Sequence, residues 1–432
     1  MTGPTQAGVT QQAGWQQAGT LPRLLPAGFA AGPATLAEHR NRYGPEPEPP
    51  GDRPERMRLI REVQRAGLTG RGGAHFPTAR KLAAVAAGPD PVVVANGTEG
   101  EPASAKDKIL LARSPHLVLD GAALAAALAG AREAYLVVPH SVRDIVDDAV
   151  AERHQAGHHQ VRFRVVTAAG RFVAGEASAV VHWIERGVPA PLARPPRLAE
   201  RGLGGRPTLV QNVETLAHLA LIGRYGADWF GALGTTAEPG TMLVTILGAV
   251  REPSVCEIAI GTPVRDLLAL AGGVSGPLQA LLIGGYSGPW VGPEATGRPF
   301  SAAGLAPLGA DVGAGLIAAL TADACGLAET ARVARYLADE SAGQCGPCLF
   351  GLDAIAGELA RLAEGSPASL PTLHRWLGQV AGRGACAHPD GAARLIGSAL
   401  RLFVAEAEQH AQGWCCGTTR APVLPVPPGR PQ

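Results

Sequence analysis

Short apolar, β-branched runs alternate with amphipathic helical patterns between about residues 56 and 225. The apolar runs occupy 91–96, 134–139 and 161–167. The helical patterns between them occupy 117–130 and 141–155. Strands that are buried on both faces read as continuous apolar runs, and parallel strands need helical crossovers between them. This part of the chain is therefore predicted to be an α/β domain with a largely parallel sheet.

Beyond this region the patterning changes twice. Short strand patterns occur at 241–247, 257–260 and 280–283. A helical pattern at 264–271 lies between the second and the third, which is typical of a small α+β module. From residue 326 to 408 almost every segment has helical spacing, so a terminal helical bundle is predicted.

Residues 1–54, predicted to be a flexible N-terminal segment with a proline-rich linker, and the C-terminal tail are expected to lack fixed structure, because their composition cannot form a core. Residues 1–20 are polar and low in complexity, and residues 45–54 (PEPEPPGDRP) form a proline-rich linker. Residues 417–432 are again proline-rich, and a disordered tail is predicted over 411–432.

Composition excludes several classes of protein. Charged residues make up only 17%, the net charge is +1 and the arginines are scattered, which excludes a surface that binds nucleic acid. The N-terminus lacks the pattern of a secretory signal, and the most apolar stretch, 117–138, is interrupted by Asp120, Arg132 and Glu133. The seven cysteines are an odd number and mostly far apart, which indicates a reduced compartment. A cytoplasmic location is expected.

A glycine-rich loop follows the first helical pattern. Residues 67–78 read GLTGRGGAHFPT, and Lys81 comes just after. Backbone N–H groups of such a loop can surround an anion, Arg71 and Lys81 could add charge, and Phe76 could stack on a flat ring. The alternative is a flexible surface loop in a chain with 57 glycines.

Polar motifs occur at three further places, and two of them follow predicted strands. The segment 96–102 (NGTEGEP) comes directly after the run 91–96, where open α/β sheets bind ligands. The segment 170–176 (GRFVAGE) also follows a strand pattern and opens a helix, and 207–215 (PTLVQNVET) precedes another helix. The alternatives are a solvated acidic turn for the first motif and helix caps for the others.

The cysteine pattern is the most specific feature. Cys345 and Cys348 form a CxxC pair within ESAGQCGPC, and Cys386 follows two helical patterns later. Two thiolates on one turn can bind the irons of a cluster or a zinc ion, and spacing alone leaves both open.

Taken in order, these five segments resemble the flavoprotein subunit of respiratory complex I, called the F subunit, and its relatives in soluble hydrogenases and formate dehydrogenases. The resemblance covers about residues 56 to 408. It implies a Rossmann-like FMN domain at 55–232, a β-grasp (soluble-ligand-binding) domain at 236–308 and a helical bundle at 325–410. It also implies that FMN accepts a hydride from NADH or NADPH and passes single electrons to a [4Fe–4S] cluster.

The same resemblance implies a set of site residues. Those expected to bind FMN and the nucleotide are Gly70, Arg71, Gly72, Gly73, Ala74, Phe76, Lys81, Asn96, Glu99, Gly175, Glu176, Thr208 and Asn212. Glu99 and Glu101 are the expected catalytic residues. The expected cluster ligands are Cys345, Cys348 and Cys386.

The chain departs from the family pattern around the nicotinamide. The departures are Thr98 for an aspartate, Ala177 for a second carboxylate, Arg197 for an aromatic residue, His75 for a glycine and Gln211 for an asparagine. FMN positions are thus better preserved than dinucleotide positions. This predicts a different electron donor, a weaker nicotinamide site, or an arginine that faces the 2′-phosphate of NADPH.

The cluster motif departs as well, because Ala342 occupies the position of the family's first cysteine. A fourth ligand could come from His388, or from the remote Cys325, Cys415 or Cys416. The cluster could instead have an open iron or be [3Fe–4S], or it could be lost. The intact sequence around the remaining cysteines favours a bound cluster.

Two functions remain from the sequence alone. The first is an oxidoreductase subunit that passes electrons to a separate ferredoxin-like protein or to a membrane-bound reductase subunit. The alternative is a scaffold or docking subunit that has kept the fold and lost NADH oxidation.

Overall fold

The computed structural model describes residues 21–25, 32–193, 197–413, 416 and 422–427. Residues 1–20, which were predicted to be mobile, and part of the predicted C-terminal tail lie outside the described residues. The helices are α1 Leu36–Tyr43, α2 Arg53–Arg65, α3 Thr78–Ala86, α4 Lys106–Arg113, α5 Pro115–Ala129, α6 Arg143–Gln155, α7 Ala177–Arg186, α8 Val213–Gly231, α9 Val264–Leu270, α10 Ala302–Leu305, α11 Gly326–Asp339, α12 Asp353–Ala363, α13 Leu370–Val380, α14 His388–Leu402 and α15 Val404–Ala411. The strands are β1 Val92–Asn96, β2 Glu133–Val138, β3 Arg162–Thr167, β4 Thr208–Asn212, β5 Thr241–Gly248, β6 Ser254–Ala259, β7 Leu278–Ile283, β8 Trp290–Val291 and β9 Leu316–Thr321.

The first sheet has the order β3-β2-β1-β4, and every pair in it is parallel. The predicted parallel sheet is confirmed, and the helices between its strands supply the crossovers. Helices α5 and α8 pack closely, because a Cβ added at Gly121 would lie 1.8 Å from the carbonyl oxygen of Leu216. In this sheet Asn96 pairs with Asn212, so both side chains lie at the carboxyl edge.

The second sheet has five strands in the order β6-β5-β9-β7-β8. Strands β5 and β9 are parallel, and the other neighbours are antiparallel. Val264, Leu267 and Phe300 are fully buried against one face of this sheet. The loop that follows β7 and the loop that precedes β9 lie beside the first sheet's carboxyl edge, where they help to form a cavity.

Helices α11 to α15 form the predicted C-terminal helical region. A short π-helical segment, Pro347–Leu352, leads into α12. The helical pattern predicted over 390–408 breaks at Phe403, whose φ of −99° and ψ of 36° separate α14 from α15. The fully buried Leu359 and Leu395 belong to one apolar core that extends to the second sheet.

The two chain ends differ from the sequence expectation where they are described. Residues 422–427 pack on the bundle: Leu424 is buried, and its N–H donates to Glu329 Oε1. Helix α1 immediately precedes the segment predicted to be a flexible linker, and His39 on it contacts the buried Asp120 at 2.6 Å. Helix α1 thus corrects the prediction of a flexible segment over 1–54, and both segments are held by several contacts to distant residues, which composition does not reveal.

Among the described residues, no single helix has the length and apolarity needed to cross a membrane. Helices α4 and α5 meet that criterion only as a pair, and this pair is bent by 97°.

Candidate functional site

A cavity of about 630 Å³ opens at the carboxyl edge of the parallel sheet. The predicted site residues that line it are Gly72, Gly73, Asn96, Glu99, Glu101, Gly175 and Asn212. Its other wall comes from the second sheet, through Gly284 and Asp311, and from Arg394 on α14. Pockets of this size hold ligands of cofactor size, and this position is where open α/β sheets bind them.

Two asparagines fix the floor of this cavity. Asn96 Nδ2 donates to the carbonyl oxygen of Gly175 at 2.9 Å, which ties the loop after β3 to the end of β1. Asn212 Nδ2 donates to Asp107 Oδ2 at 2.7 Å, and its Oδ1 accepts the N–H of Glu214 at the start of α8. Both amide groups are thus used to join neighbouring loops and set their spacing.

Glu99 closes the N-terminus of α4. Its carboxylate accepts the N–H groups of Asp107 at 3.0 Å and Lys108 at 2.9 Å, together with the hydroxyl of Ser104. The first N–H groups of a helix have no hydrogen-bond partner within the helix, and they stabilise a negative charge. Its φ of 43° is unusual for a residue with a side chain, and strain of this kind clusters at ligand sites.

A buried ionic group lies beneath the cavity, and the sequence did not single it out. Lys106 Nζ is 2.8 Å from both Asp107 Oδ1 and Glu214 Oε2. Burial alone would lower the pKa of Lys106, but the two carboxylates outweigh it and raise that pKa. Burial would raise the pKa of Glu214, yet Lys106 holds it down at about 2. The only sequence signal was the charged run that follows the acidic motif.

Glu101 is held differently from Glu99. Its Oε2 accepts the N–H of Tyr286 at 2.8 Å, and its Oε1 is 3.4 Å from the N–H of Ala103. Burial raises the pKa of Glu101 to about 7, and the neighbouring Glu99 acts in the same direction. Glu101 can therefore hold a proton at the cavity wall near neutral pH.

Replacing Glu101 by glutamine is expected to alter how stability depends on pH. In the wild type the folded chain binds a proton at Glu101 between its ordinary pKa of 4.5 and about 7, whereas the unfolded chain does not, so stability falls as pH rises through this window. Glu101→Gln removes that part of the decline. The measurement is the urea midpoint of both proteins between pH 4.5 and 8, with the exposed Glu200→Gln as control. If the urea midpoints of wild type and Glu101→Gln changed with pH in the same way, this would contradict the raised pKa of Glu101.

Other predicted site residues lie outside the cavity wall. Arg71 is buried, and its guanidinium donates to Thr69 Oγ1 at 3.0 Å. Lys81 Nζ is 3.5 Å from the carbonyl oxygen of Val210 and 5.6 Å from the Phe76 ring centroid. These contacts place the two cations beside the cavity rather than on its surface.

The remaining predicted residues have structural contacts. Thr208 is buried at the opposite end of β4 from Asn212, and its hydroxyl accepts the N–H of Leu203. Glu176 caps α7 by accepting the N–H groups of Ser178 and Ala179. Gly70 and Ala74 belong to the glycine loop but do not line the cavity among the residues described.

The three predicted cluster cysteines lie together in the helical region. Burial raises the pKa of Cys348 to about 11, and both Cys345 and Cys386 act on it electrostatically. Three thiols in this arrangement can bind a zinc ion or the irons of a cluster.

One short segment separates the cavity from the cysteines. The 3₁₀ turn Phe172–Gly175 contributes both of its end residues to the cavity. On its other side, the N–H of Phe172 and Nε of Arg171 donate to the same oxygen of Glu340, at 2.8 and 2.9 Å. Glu340 begins the ESAGQCGPC segment. The cavity wall and the cysteine loop are therefore joined directly.

His388 lies behind this turn, two residues after Cys386. Its ring centroid is 5.4 Å from that of Phe172, and its Nε2 contacts the carbonyl oxygen of Leu337 at 2.8 Å. Nδ1 is buried and has no hydrogen-bond partner. Donation from Nε2 leaves the lone pair on Nδ1, so this atom can act as an acceptor or as a ligand.

Three family models match the chain. Residues 63–221 match the Nuo51 FMN-binding domain, and residues 328–410 match the NADH-ubiquinone oxidoreductase-F iron–sulfur binding region. Residues 243–283 match the SLBB domain. The chain is also 32% identical to the NADH-quinone oxidoreductase F subunit named F 2 in Rhizobium meliloti, over 381 residues that cover 83% of this chain and 90% of that protein.

The chain belongs to the family of NADH-quinone oxidoreductase F subunits.

Another member of this family, the F subunit of the enzyme from Mycobacterium bovis, is 31% identical, and the match covers 83% of this chain and 85% of that protein. Among solved structures, an NAD⁺-reducing [NiFe]-hydrogenase in the H₂-reduced state superimposes with a TM-score of 0.76 and 28% identity over 85% of this chain. The chain spans only 64% of that hydrogenase chain. The resemblance inferred from the motifs is confirmed, and so are FMN and an iron–sulfur cluster as cofactors of the family.

Proposed function

We propose that this chain is an NADH-oxidising electron-transfer subunit, with FMN in the cavity and an iron–sulfur cluster on Cys345, Cys348 and Cys386. The observation that carries the proposal is the shared wall, since Phe172 lines the cavity and its N–H is bonded to the cysteine loop through Glu340. The domain order that fits is a Rossmann-like FMN domain at 55–232, a β-grasp domain at 236–308 and a helical cluster domain at 325–410.

The residues present fit a flavin nucleotide. A Cβ added at Gly175 would meet only one atom within 4 Å, the N of Gly100 at 3.9 Å, so this glycine leaves room for a flat ring or a chain of hydroxyls. Polar groups that could bind the hydroxyls and the phosphate line the same cavity, with Arg394 as a cation on its surface. A mixed polar and open site of this kind suits a cofactor with one anionic end.

When bound, FMN supplies the exchange between a hydride and single electrons, and the cluster carries single electrons onward. The chain's residues then have separate roles. Glu99 positions the start of α4 beneath the cofactor, because its lone pairs accept the first N–H groups of that helix. Glu101 holds or releases a proton at the wall near neutral pH. The two loops of the second sheet that carry Gly284 and Asp311 form the opposite wall of the cavity.

The proposed electron donor is NADH, as in the names of the relatives. Phe76 is 40% exposed, between Arg80 and Lys81, and offers a face for a nicotinamide or adenine ring. Arg197 is exposed, and its guanidinium contacts Glu200, which is also exposed, at 3.5 Å, so it is accessible to the 2′-phosphate of NADPH. Comparing reduction by NADH and NADPH under identical conditions decides between them.

The electron acceptor proposed is a separate protein. By name, the relatives are parts of quinone oxidoreductases or of a hydrogenase. A ferredoxin-like protein or a membrane-bound reductase subunit would take electrons from the cluster, with this chain in the cytoplasm. The exposed Phe350 and Leu349, directly after Cys348, provide an apolar patch next to the cluster ligands.

The test is an absorbance spectrum of the anaerobically purified protein, with flavin, iron and sulfide content measured on the same sample. Flavin bands that NADH bleaches would support the proposal. A colourless protein without flavin or iron would contradict it and favour the scaffold alternative, for which Thr98, Ala177 and Ala342 are the supporting departures.

Replacing Gly175 by leucine is expected to reduce flavin content at least ~10-fold while leaving the fold intact. Gly175 lines the cavity, and an added Cβ there meets only the N of Gly100, at 3.9 Å, so the new side chain is expected to occupy the cofactor's volume. The matched control is Gly378→Leu on α13, where an added Cβ meets nothing within 4 Å. Equal flavin content in the two variants would place FMN elsewhere.

A further inference from the structure

We propose that Cys325, His410, Cys416 and Glu406 form a structural zinc site that is separate from the cluster cysteines. One ligand atom from each of Cys325, His410 and Cys416 lies within 4.8 Å of the other two. The site lies at the start of α11 and the end of α15. None of the roles proposed above uses these residues, so the inference stands apart from the proposed function.

The imidazole of His410 is oriented as a metal ligand would be. It is fully buried, and Nδ1 donates to the carbonyl oxygens of Ala363 at 3.0 Å and Leu362 at 3.2 Å. This contact fixes the tautomer and leaves the lone pair on Nε2. Nε2 accepts the N–H of Cys416 at 3.2 Å, so a zinc ion would have to replace this hydrogen bond at the same lone pair. Metal-binding histidines are commonly held through the other ring nitrogen in this way.

Cys325 is placed to be a thiolate once a cation is present. It is buried at the N-cap of α11, and its Sγ accepts the N–H of Ala328 at 3.4 Å. Binding of a divalent ion would remove the thiol protons and compensate the buried negative charge.

Glu406 is the fourth ligand in this proposal. Its Oε2 is 3.7 Å from Cys325 Sγ and accepts the N–H of Gly326 at 3.1 Å, while its Oε1 contacts Gln279 Nε2. It is not part of the set of three ligand atoms that lie within 4.8 Å of one another, so its carboxylate would have to move closer when the metal binds. Two thiolates, one imidazole and one carboxylate would then form a closed tetrahedral site, and closed sites with sulfur and nitrogen donors favour Zn²⁺ and are structural rather than catalytic.

Such a site would fasten three parts of the chain. Cys325 precedes α11, while Glu406 and His410 are on α15 and Cys416 follows it. The segment 422–427, a few residues further on, lies against Glu329 of α11. Zinc would thus hold the chain after α15 on α11, the helix that leads into the ESAGQCGPC segment.

The test measures zinc, by elemental analysis, in three variants of the full-length protein purified without added metal. Cys325→Ser with Cys416→Ser is expected to lose zinc, whereas Cys256→Ser, a half-buried cysteine on β6, is expected to keep it. Replacing Cys345, Cys348 and Cys386 by alanine is expected to remove iron and leave zinc unchanged. In this cluster-free variant, X-ray absorption at the zinc edge should show two sulfur neighbours at about 2.3 Å.

A second measurement keeps the inference testable if the double variant folds poorly. A zinc chelator is expected to lower the melting temperature of the wild type and of Cys256→Ser, but not that of the single variant Cys416→Ser. Three outcomes would overturn the proposal. They are zinc-free wild-type protein that gains none on zinc addition, zinc that disappears with the cluster cysteines, and a Cys325–Cys416 disulfide in protein purified with its thiols blocked.

Discussion

Replacing Lys106 by methionine is expected to destabilise the protein by about 3 to 5 kcal/mol, because it leaves two buried carboxylates without their cation. Lys106 is 2% exposed and contacts Asp107 and Glu214 at 2.8 Å each. The loss should be smaller at pH 5 than at pH 8, since protonation then neutralises the stranded acids. The measurement is the apparent free energy of unfolding from urea titration at both pH values.

Two further variants test whether the loss of stability comes from the buried carboxylates. Arg65→Met removes a cation that also contacts two carboxylates, those of Glu62 and Asp228, but at an exposed position. Its effect is expected to be slight, because solvent screens exposed pairs. Combining Lys106→Met with Glu214→Gln should recover part of the lost stability. An unfolding midpoint for Lys106→Met equal to that of wild type would show that the ionic group is not fully desolvated.

Replacing Cys348 by alanine is expected to abolish the iron–sulfur cluster, since only two of the three cysteine ligands would be left. Cys348 is 4% exposed and interacts with both Cys345 and Cys386. Iron and sulfide content should fall to background while flavin content is retained. Cys256→Ala is the matched control, because that cysteine lies on β6 in the second sheet. Wild-type iron in Cys348→Ala would contradict the ligand assignment.

The reverse change, Ala342→Cys, addresses the missing ligand. If one iron lacks a cysteine, a thiol at this position should slow iron loss during oxidation and remove any three-iron signal from the electron paramagnetic resonance spectrum. If His388 already fills the position through Nδ1, the unpartnered atom behind Phe172, then His388→Gln should reproduce the open-iron spectrum. Comparing both variants with wild type separates the alternatives that the sequence left open.

The sequence predicted most regular elements because their signals are local. The run 91–96 became β1, and the helical pattern 264–271 became α9 at Val264–Leu270. Strand β9 was missed, since its sequence, LIAALT, is rich in residues that also suit a helix, and only pairing with β5 and β7 makes it a strand. Helix α1 was missed because the contact of His39 with Asp120 joins residues distant in the chain.

The site residues that follow the ends of strands could be predicted from their motifs. The site residues whose positions depend on tertiary packing could not. Asn96 and Asn212 end neighbouring strands and do lie together at one edge. Arg71 was expected at an anion, but a buried guanidinium bonded to Thr69 cannot be told from a ligand-binding one by spacing. Asp311 and Arg394 reach the cavity from other parts of the fold, so no short motif contains them.

The turn Phe172–Gly175 belongs structurally to two regions at once, which limits how parts of this protein can be exchanged with those of relatives. Glu340 accepts hydrogen bonds from Arg171 and Phe172. The carboxylate of the cysteine segment therefore depends on two donors that lie much earlier in the chain. A hybrid that imports a foreign C-terminal part at residue 326 would separate these partners. A chimera that exchanges 171–176 together with the C-terminal part would keep the donors and their carboxylate from the same protein. The turn should therefore be exchanged whenever the C-terminal part is.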